Sequence, residues 1–140
     1  MGQTVKIPAQ YDQVAPVCDF IVDAAIEAGF DNDAAFQVQL ACDEACTNVI
    51  EHAYNGRSGE IEVGYAVKAG DFIVTIRDHG RAFDPSAVPK PALAGDKPVD
   101  IDALEVGGLG LHFMRRLMDE VTFTFDQKKG NLLTMKKRLP

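Results

Sequence analysis

The sequence predicts an α+β fold: a two-layer α/β sandwich in which three helices cover one face of a mixed, mostly antiparallel sheet. Three observations lead there. Apolar spacing switches between period 2 and period 3.6 in the order β-α-α-β-β-loop-α-β-β. Two strand pairs are joined by short glycine-containing turns, so hairpins dominate. No repeat or composition break divides the 140 residues, which fits a single domain over 1–140.

Thr4-Val5-Lys6-Ile7 alternates as a short first strand and stops at Pro8. Val14, Val17, Cys18, Ile21 and Ala25 recur at helical spacing, with Gly29 as a stop. Asp31-Asn32-Asp33 offers N-cap side chains for a second helix that runs to about Tyr54. Phe36, Leu40, Val49, Ile50 and Ala53 are its expected apolar contacts. Residues 60–67 alternate, Ala69-Gly70-Asp71 turns, and 72–78 return as a strand apolar on both faces, hence central. From His79 to Glu105 the pattern dissolves among prolines and acids, and a lid spans about 79–107, with a short helical turn expected near 100–104. A third helix opens at Gly107-Gly108-Leu109-Gly110, with Leu111, Met114, Leu117 and Met118 as its stripe. Strands at 121–125 and 132–138 flank a Lys128–Asn131 turn.

The net charge of −7 argues against general nucleic-acid binding, which needs basic surface. No apolar run reaches the roughly 20 residues of a membrane span, and no signal-type segment opens the chain, so a cytoplasmic location is expected. Cys18, Cys42 and Cys46 fall in apolar helical segments. Cys42 and Cys46 share a helix face at i, i+4, but no further ligand pair accompanies them, and core packing is the expected role.

Three features carry chemistry. Glu44, Asn48 and His52 line one stripe of the second helix at i, i+4, i+8. A solvated face accounts for neighbouring Asp43 and Glu51. It accounts less well for Glu44 and Asn48, which Ala41, Ala45 and Val49 flank closely. Carboxylate plus amide oxygen also suits a hard cation such as Mg²⁺. The second feature is Asp78-His79-Gly80-Arg81-Ala82-Phe83-Asp84-Pro85 at a strand end. An Asp there accepts a hydrogen bond from an exocyclic amine, and Gly80 permits close approach, although an ordinary Asp-His-Gly turn reads the same way. The third is the glycine-rich helix start, where free N–H groups and the helix dipole favour phosphate. No Gly-Lys-Ser/Thr follows, so it is not a Walker loop.

In this fixed order the features resemble the gyrase, histidine-kinase and heat-shock-chaperone ATPase superfamily, which uses the Bergerat ATP-binding fold. Glu44-Ala45-Cys46-Thr47-Asn48 with His52-Ala53-Tyr54 is similar to its N box. Asp78-x-Gly80-Arg81-Ala82-Phe83-Asp84-Pro85 and Gly107-Gly108-Leu109-Gly110-Leu111 are similar to its two glycine boxes. The Gly-Arg-x-Phe-Asp-Pro wording and the compact length resemble the bacterial anti-sigma-factor serine kinases most. Many relatives have a second Gly where Ala82 stands, which leaves this loop stiffer.

The resemblance implies ATP and Mg²⁺ as ligands. It implies Glu44 as general base toward a Ser hydroxyl and Asn48 as the Mg²⁺ ligand. Asp78 would read the adenine amine, Gly80 would admit the ring, and Thr134 would assist Asp78. Gly108, Leu109, Gly110 and Leu111 would offer N–H groups to the phosphates, with Gly107 and Ala82 in the same boxes. His52 would either touch ribose or phosphate or brace the lid. The implied function is an anti-sigma factor that sequesters a sigma factor and phosphorylates an antagonist protein on Ser, commonly as a homodimer joined at a sheet edge. The alternative is a nucleotide-gated interaction module without significant kinase activity.

Overall fold

The computed structural model describes residues 2–82 and 108–140. Most of the expected lid, the helical turn near 100–104 and Gly107 lie outside these residues. The described elements are β1 (Gly2–Pro8), α1 (Val14–Ala28), α2 (Asn32–Asn48), β2 (Glu60–Lys68), β3 (Asp71–Asp78), α3 (Gly108–Leu117), β4 (Glu120–Asp126) and β5 (Gly130–Arg138). A 3₁₀ turn, Tyr11–Gln13, precedes α1, and a π-helical turn, Val49–Ala53, follows α2.

The sheet order is β1-β2-β3-β5-β4, with every pairing antiparallel. No parallel pair occurs among the described residues, so the expected mixed component is not seen there. Strand β3 is central, as its two apolar faces require. Its ends are fixed locally: Ala69 and Gly70 both take positive φ, 55° and 82°, and turn β2 into β3. Gly29 closes α1 at φ 126°, and the Asp31 carboxylate caps α2 by accepting from the Ala34 N–H at 2.8 Å.

One face of the sheet carries Ile61, Val63, Phe72, Val74, Ile76, Leu133 and Met135, all buried under the helices. Tyr65 stacks on Phe72 with ring centres 5.8 Å apart, and Phe20 and Phe30 pack on that pair from the helix layer. Helix α2 contributes Ala35, Val38, Ala41, Cys42, Ala45 and Cys46 to the core. These are small residues because α2 sits between α1 and α3 over the sheet and is approached from several sides. The expected contacts Phe36 and Leu40 are instead 55% and 38% exposed, on the outer side of that phase. The Cys42 and Cys46 side chains beside it hold the Cys18 thiol below its ordinary value.

Tyr54 ties the helix layer to the sheet. Its hydroxyl donates to the Glu60 carbonyl at 2.6 Å and accepts from the His79 N–H at 2.9 Å. The ring is buried against Gly59, where a Cβ would strike it. Tyr54→Phe removes both bonds and leaves a half-buried N–H unpaired. We expect a loss of about 1–3 kcal/mol in chemical denaturation. A loss below ~0.5 kcal/mol counts against this brace.

Candidate functional site

The α-helical ladder gives way to i→i−5 bonding right after Asn48, where the Tyr54 N–H reaches the Val49 carbonyl at 3.0 Å. Such π turns insert a residue into the helix and recur at functional sites. The stripe therefore stays in phase from Glu44 to Asn48, about 6 Å along the axis. His52 lies beyond the phase change, in the π turn.

Asn48 and His52 share an unusual state. Among the described residues, the Asn48 Oδ1 and the His52 Nε2 are both buried with no hydrogen-bond partner. The nearest acid to His52 is Glu51, 3.9 Å away, too far for a hydrogen bond. Buried polar atoms are nearly always paired, so two orphans four residues apart point to a ligand that completes them.

Asn48 borders a cleft with Ala45, Val49, Ala53, Asp78, Phe123, Asn131 and Leu133. Its empty volume is about 330 Å³, counting the part open to solvent. Asp78 is the acid in it, only 3% exposed. Its Oδ1 accepts from the Gly80 N–H and from Asn131 Nδ2, each at 2.9 Å, while Oδ2 takes part in neither bond. Burial raises the Asp78 carboxyl above its ordinary value, and these two donors oppose the rise.

Asn131 was not anticipated from the sequence. The register pairs Asp78 with Asn131, and Thr134 with Thr75 and Thr122. Thr75 shares the opposite face with Thr4 and Gly64, where a Cβ on Gly64 would meet both threonine hydroxyls at 2.8 and 3.1 Å. Thr134 is thus on the sheet face away from the cleft, and the expected role beside Asp78 falls to Asn131. The signal was present: the inward parity of Leu133 and Met135 puts Asn131 inward and Thr134 outward.

Gly80 also has a packing role that the sequence did not suggest. A Cβ there would strike the Ala53 carbonyl of the π turn and come within 2.8 Å of the Ala53 Cβ. Its bareness seats the end of β3 on the π turn. Arg81 clamps this seat: its N–H donates to the Ala53 carbonyl at 2.7 Å and its Nη2 to the His52 carbonyl at 3.1 Å. Asn131 Nδ2 also donates to the Arg81 carbonyl at 2.8 Å. Ala82 follows, exposed.

Glu44 is half-buried on α2, outside the cleft lining and one turn before Asn48. Burial raises its carboxyl, and Asp43 and Glu51 raise it further. A raised carboxylate is a stronger base than an ordinary one. Gly108, Leu109 and Gly110 form the first residues of α3, and Leu111 is buried in the core. The structure thus brings Asn48, Asp78 and Asn131 together, with Gly80 behind them and Glu44 and His52 on either side along α2.

The sequence model of the histidine kinase-like ATPase domain matches residues 7–137. Proteins named serine-protein kinase RsbW are similar along most of their length. Those of Bacillus thuringiensis strain Al Hakam and Bacillus cereus strain G9842 are 29% and 30% identical over 130 residues, covering 93% of this chain and 81% of theirs. The crystal structure of the RsbU and RsbW domains of Rv1364c from Mycobacterium tuberculosis shares the fold, with a TM-score of 0.67 at 18% identity. That match covers 99% of this chain and 32% of the other. The chain belongs to the histidine kinase-like ATPase domain family and, within it, to the anti-sigma-factor serine kinases.

Proposed function

We propose that this protein binds Mg·ATP in the Asn48–Asp78–Asn131 cleft and transfers phosphate to a Ser hydroxyl of an antagonist protein, releasing or retaining a sigma factor accordingly. The observation that carries the reading is the pair of buried, unpartnered atoms, Asn48 Oδ1 and His52 Nε2, beside a cleft that holds a buried Asp. An amide oxygen without a donor suits a hard cation, and an imidazole nitrogen suits a ribose hydroxyl or a phosphate. The residues present therefore fit the nucleotide and its metal.

Mg·ATP, when bound, supplies the phosphoryl group and the neutralising charge. Asn48 holds the metal through Oδ1. Asp78 accepts from the adenine amine through Oδ2, because Oδ1 is already engaged by Gly80 and Asn131. Asn131 and Arg81 keep Asp78 in place. Backbone N–H groups of Gly108, Leu109, Gly110 and Leu111 take the phosphates at the start of α3. Glu44 accepts the proton of the attacking Ser hydroxyl. Serine-kinase relatives at 29–30% identity support this chemistry. A homodimer through the open edge of β1 and sequestration of a sigma factor belong to the same proposal, as does a single domain with a lid at about 79–107.

Calorimetric ATP titration with and without Mg²⁺, on the wild type and on Asp78→Asn, tests it. Asn keeps an Oδ1 acceptor for Gly80 but loses the carboxylate. Affinity is expected to fall roughly 10–100-fold, as for one lost hydrogen bond to a charged group. Equal affinity in the two proteins removes the adenine assignment. No ATP binding by the wild type removes the whole reading.

A further inference from the structure

Cys18 on α1 and Cys42 and Cys46 on α2 converge between the two helices. Their three Sγ atoms all lie within 4.8 Å of one another. Each residue is at most 2% exposed. Buried cysteines commonly act as small hydrophobes, but that role needs no convergence of sulfurs. Sequence spacing brings only Cys42 and Cys46 together; helix packing adds Cys18.

Geometry limits the coordination number to three. With metal–sulfur bonds of about 2.3 Å, a planar three-coordinate centre has sulfur–sulfur edges of about 4.0 Å. A pyramidal centre has shorter ones. Both are compatible with the separations seen. Among the described residues no His or carboxylate joins the cluster, so a tetrahedral Zn²⁺ site lacks its fourth ligand.

Charge then selects the occupant. Three thiolates with a monovalent cation leave a net charge of −2, and with a divalent cation −1. The site is buried, and the nearest acids in sequence, Asp19 and Asp43, are exposed beside it. An uncompensated anion there is costly. A trivalent thiophilic centre makes the complex neutral. We propose that Cys18, Cys42 and Cys46 form a tris-thiolate site for trivalent arsenic or a like metalloid, which cross-links α1 to α2. The step is a ligand exchange without redox change. Arsenous acid, As(OH)₃, loses its three hydroxyls. Each leaves as water with one thiol proton, and three As–S bonds form. The site is separate from the nucleotide cleft, so its test stands apart from that reading.

The reduced full-length protein, freed of small thiols under anaerobic conditions, is titrated with arsenite. Thiolate-to-arsenic charge-transfer absorption should saturate at one arsenic per chain. Acid-quenched thiol counting should find all three cysteines protected. At a hundredfold excess over Kd the thermal midpoint should rise by roughly 8–12 °C. Cys18→Ala should weaken binding by more than the roughly 10–100-fold that losing an outer-shell partner costs a metal site. Where that variant unfolds, the wild-type thiol count decides: three protected thiols support the site and two overturn it. Absence of saturable binding, unchanged affinity in folded Cys18→Ala, or tighter binding of Zn²⁺ than of arsenite also overturns it.

Discussion

Glu44→Gln is expected to lower phosphoryl transfer by about 10²–10⁴-fold, the usual contribution of a positioned general base, with ATP affinity within about twofold of wild type. The amide is nearly the same shape, and Glu44 does not line the nucleotide cleft. The substitution should also raise stability slightly at neutral pH. Burial, Asp43 and Glu51 lift the Glu44 carboxyl above the ordinary 4.5, so folding disfavours its charged form. In the folded state it keeps its proton to higher pH than in the unfolded chain. Its favourable share of stability is therefore full below the unfolded value and is lost as pH rises through the folded one. Above that window Glu44 burdens the fold, and Gln removes the burden. Because the group is only half-buried and partly screened by solvent, the gain should stay under about 4 °C in thermal midpoint. The acid limb of the wild-type kcat/KM profile should lie above the usual glutamate range and vanish in the variant. A Gln variant that phosphorylates the antagonist at the wild-type rate sinks the base assignment, whatever its stability.

How far the sequence carried this site differs from residue to residue. Glu44 and Asn48 were legible because helical spacing is local and their neighbours are small and apolar. Asp78 was legible because a strand-end Asp followed by Gly80 can accept from an exocyclic amine and resembles a glycine box. The π turn was not, since i→i−5 bonding after Asn48 arises where α2 meets Gly80 and Arg81, a contact between segments far apart in sequence. The switch from Thr134 to Asn131 has a simpler cause. Thr134 came from the family resemblance alone, and the turn read as Lys128–Asn131 left Asn131 outside the last strand. In the structure Asp126 closes the turn by accepting from the N–H groups of Lys128 and Lys129, and Gly130 already pairs with Asp126. Leu132 and Leu133 are both apolar, but the shared parity of Leu133 and Met135 already pointed Asn131 inward. Phe36 and Leu40 show the opposite error: hydropathy suggested burial, but close helix packing assigned the inner face of α2 to alanine and cysteine.

Gly80→Ala is the variant in which this long-range packing should be most visible. Gly80 has no left-handed backbone requirement, so the penalty is steric. The added methyl meets the Ala53 carbonyl, which belongs to backbone and has little freedom to retreat. The end of β3 must lift, and with it go the Arg81 bonds to the Ala53 and His52 carbonyls. Overpacking costs about 1–3 kcal/mol and each lost hydrogen bond about 1, so a loss of roughly 3–5 kcal/mol is expected. That is a large part of the roughly 5–15 kcal/mol that typically holds a domain folded. Lifting the strand end also moves Asp78, so ATP affinity should fall at least as far as in Asp78→Asn. Gly56→Ala separates this mechanism from ordinary glycine effects. Gly56 has φ +80°, and an added Cβ there would meet nothing within 4 Å. Ala at this position suffers only backbone strain, about 1–2 kcal/mol, and should leave ATP affinity intact. If both alanine variants lose the same stability and keep the same affinity, the seat of β3 on the π turn does not position Asp78. A Gly80→Ala protein that is less stable and binds ATP poorly, beside a Gly56→Ala protein that is only less stable, ties the nucleotide cleft to that one contact.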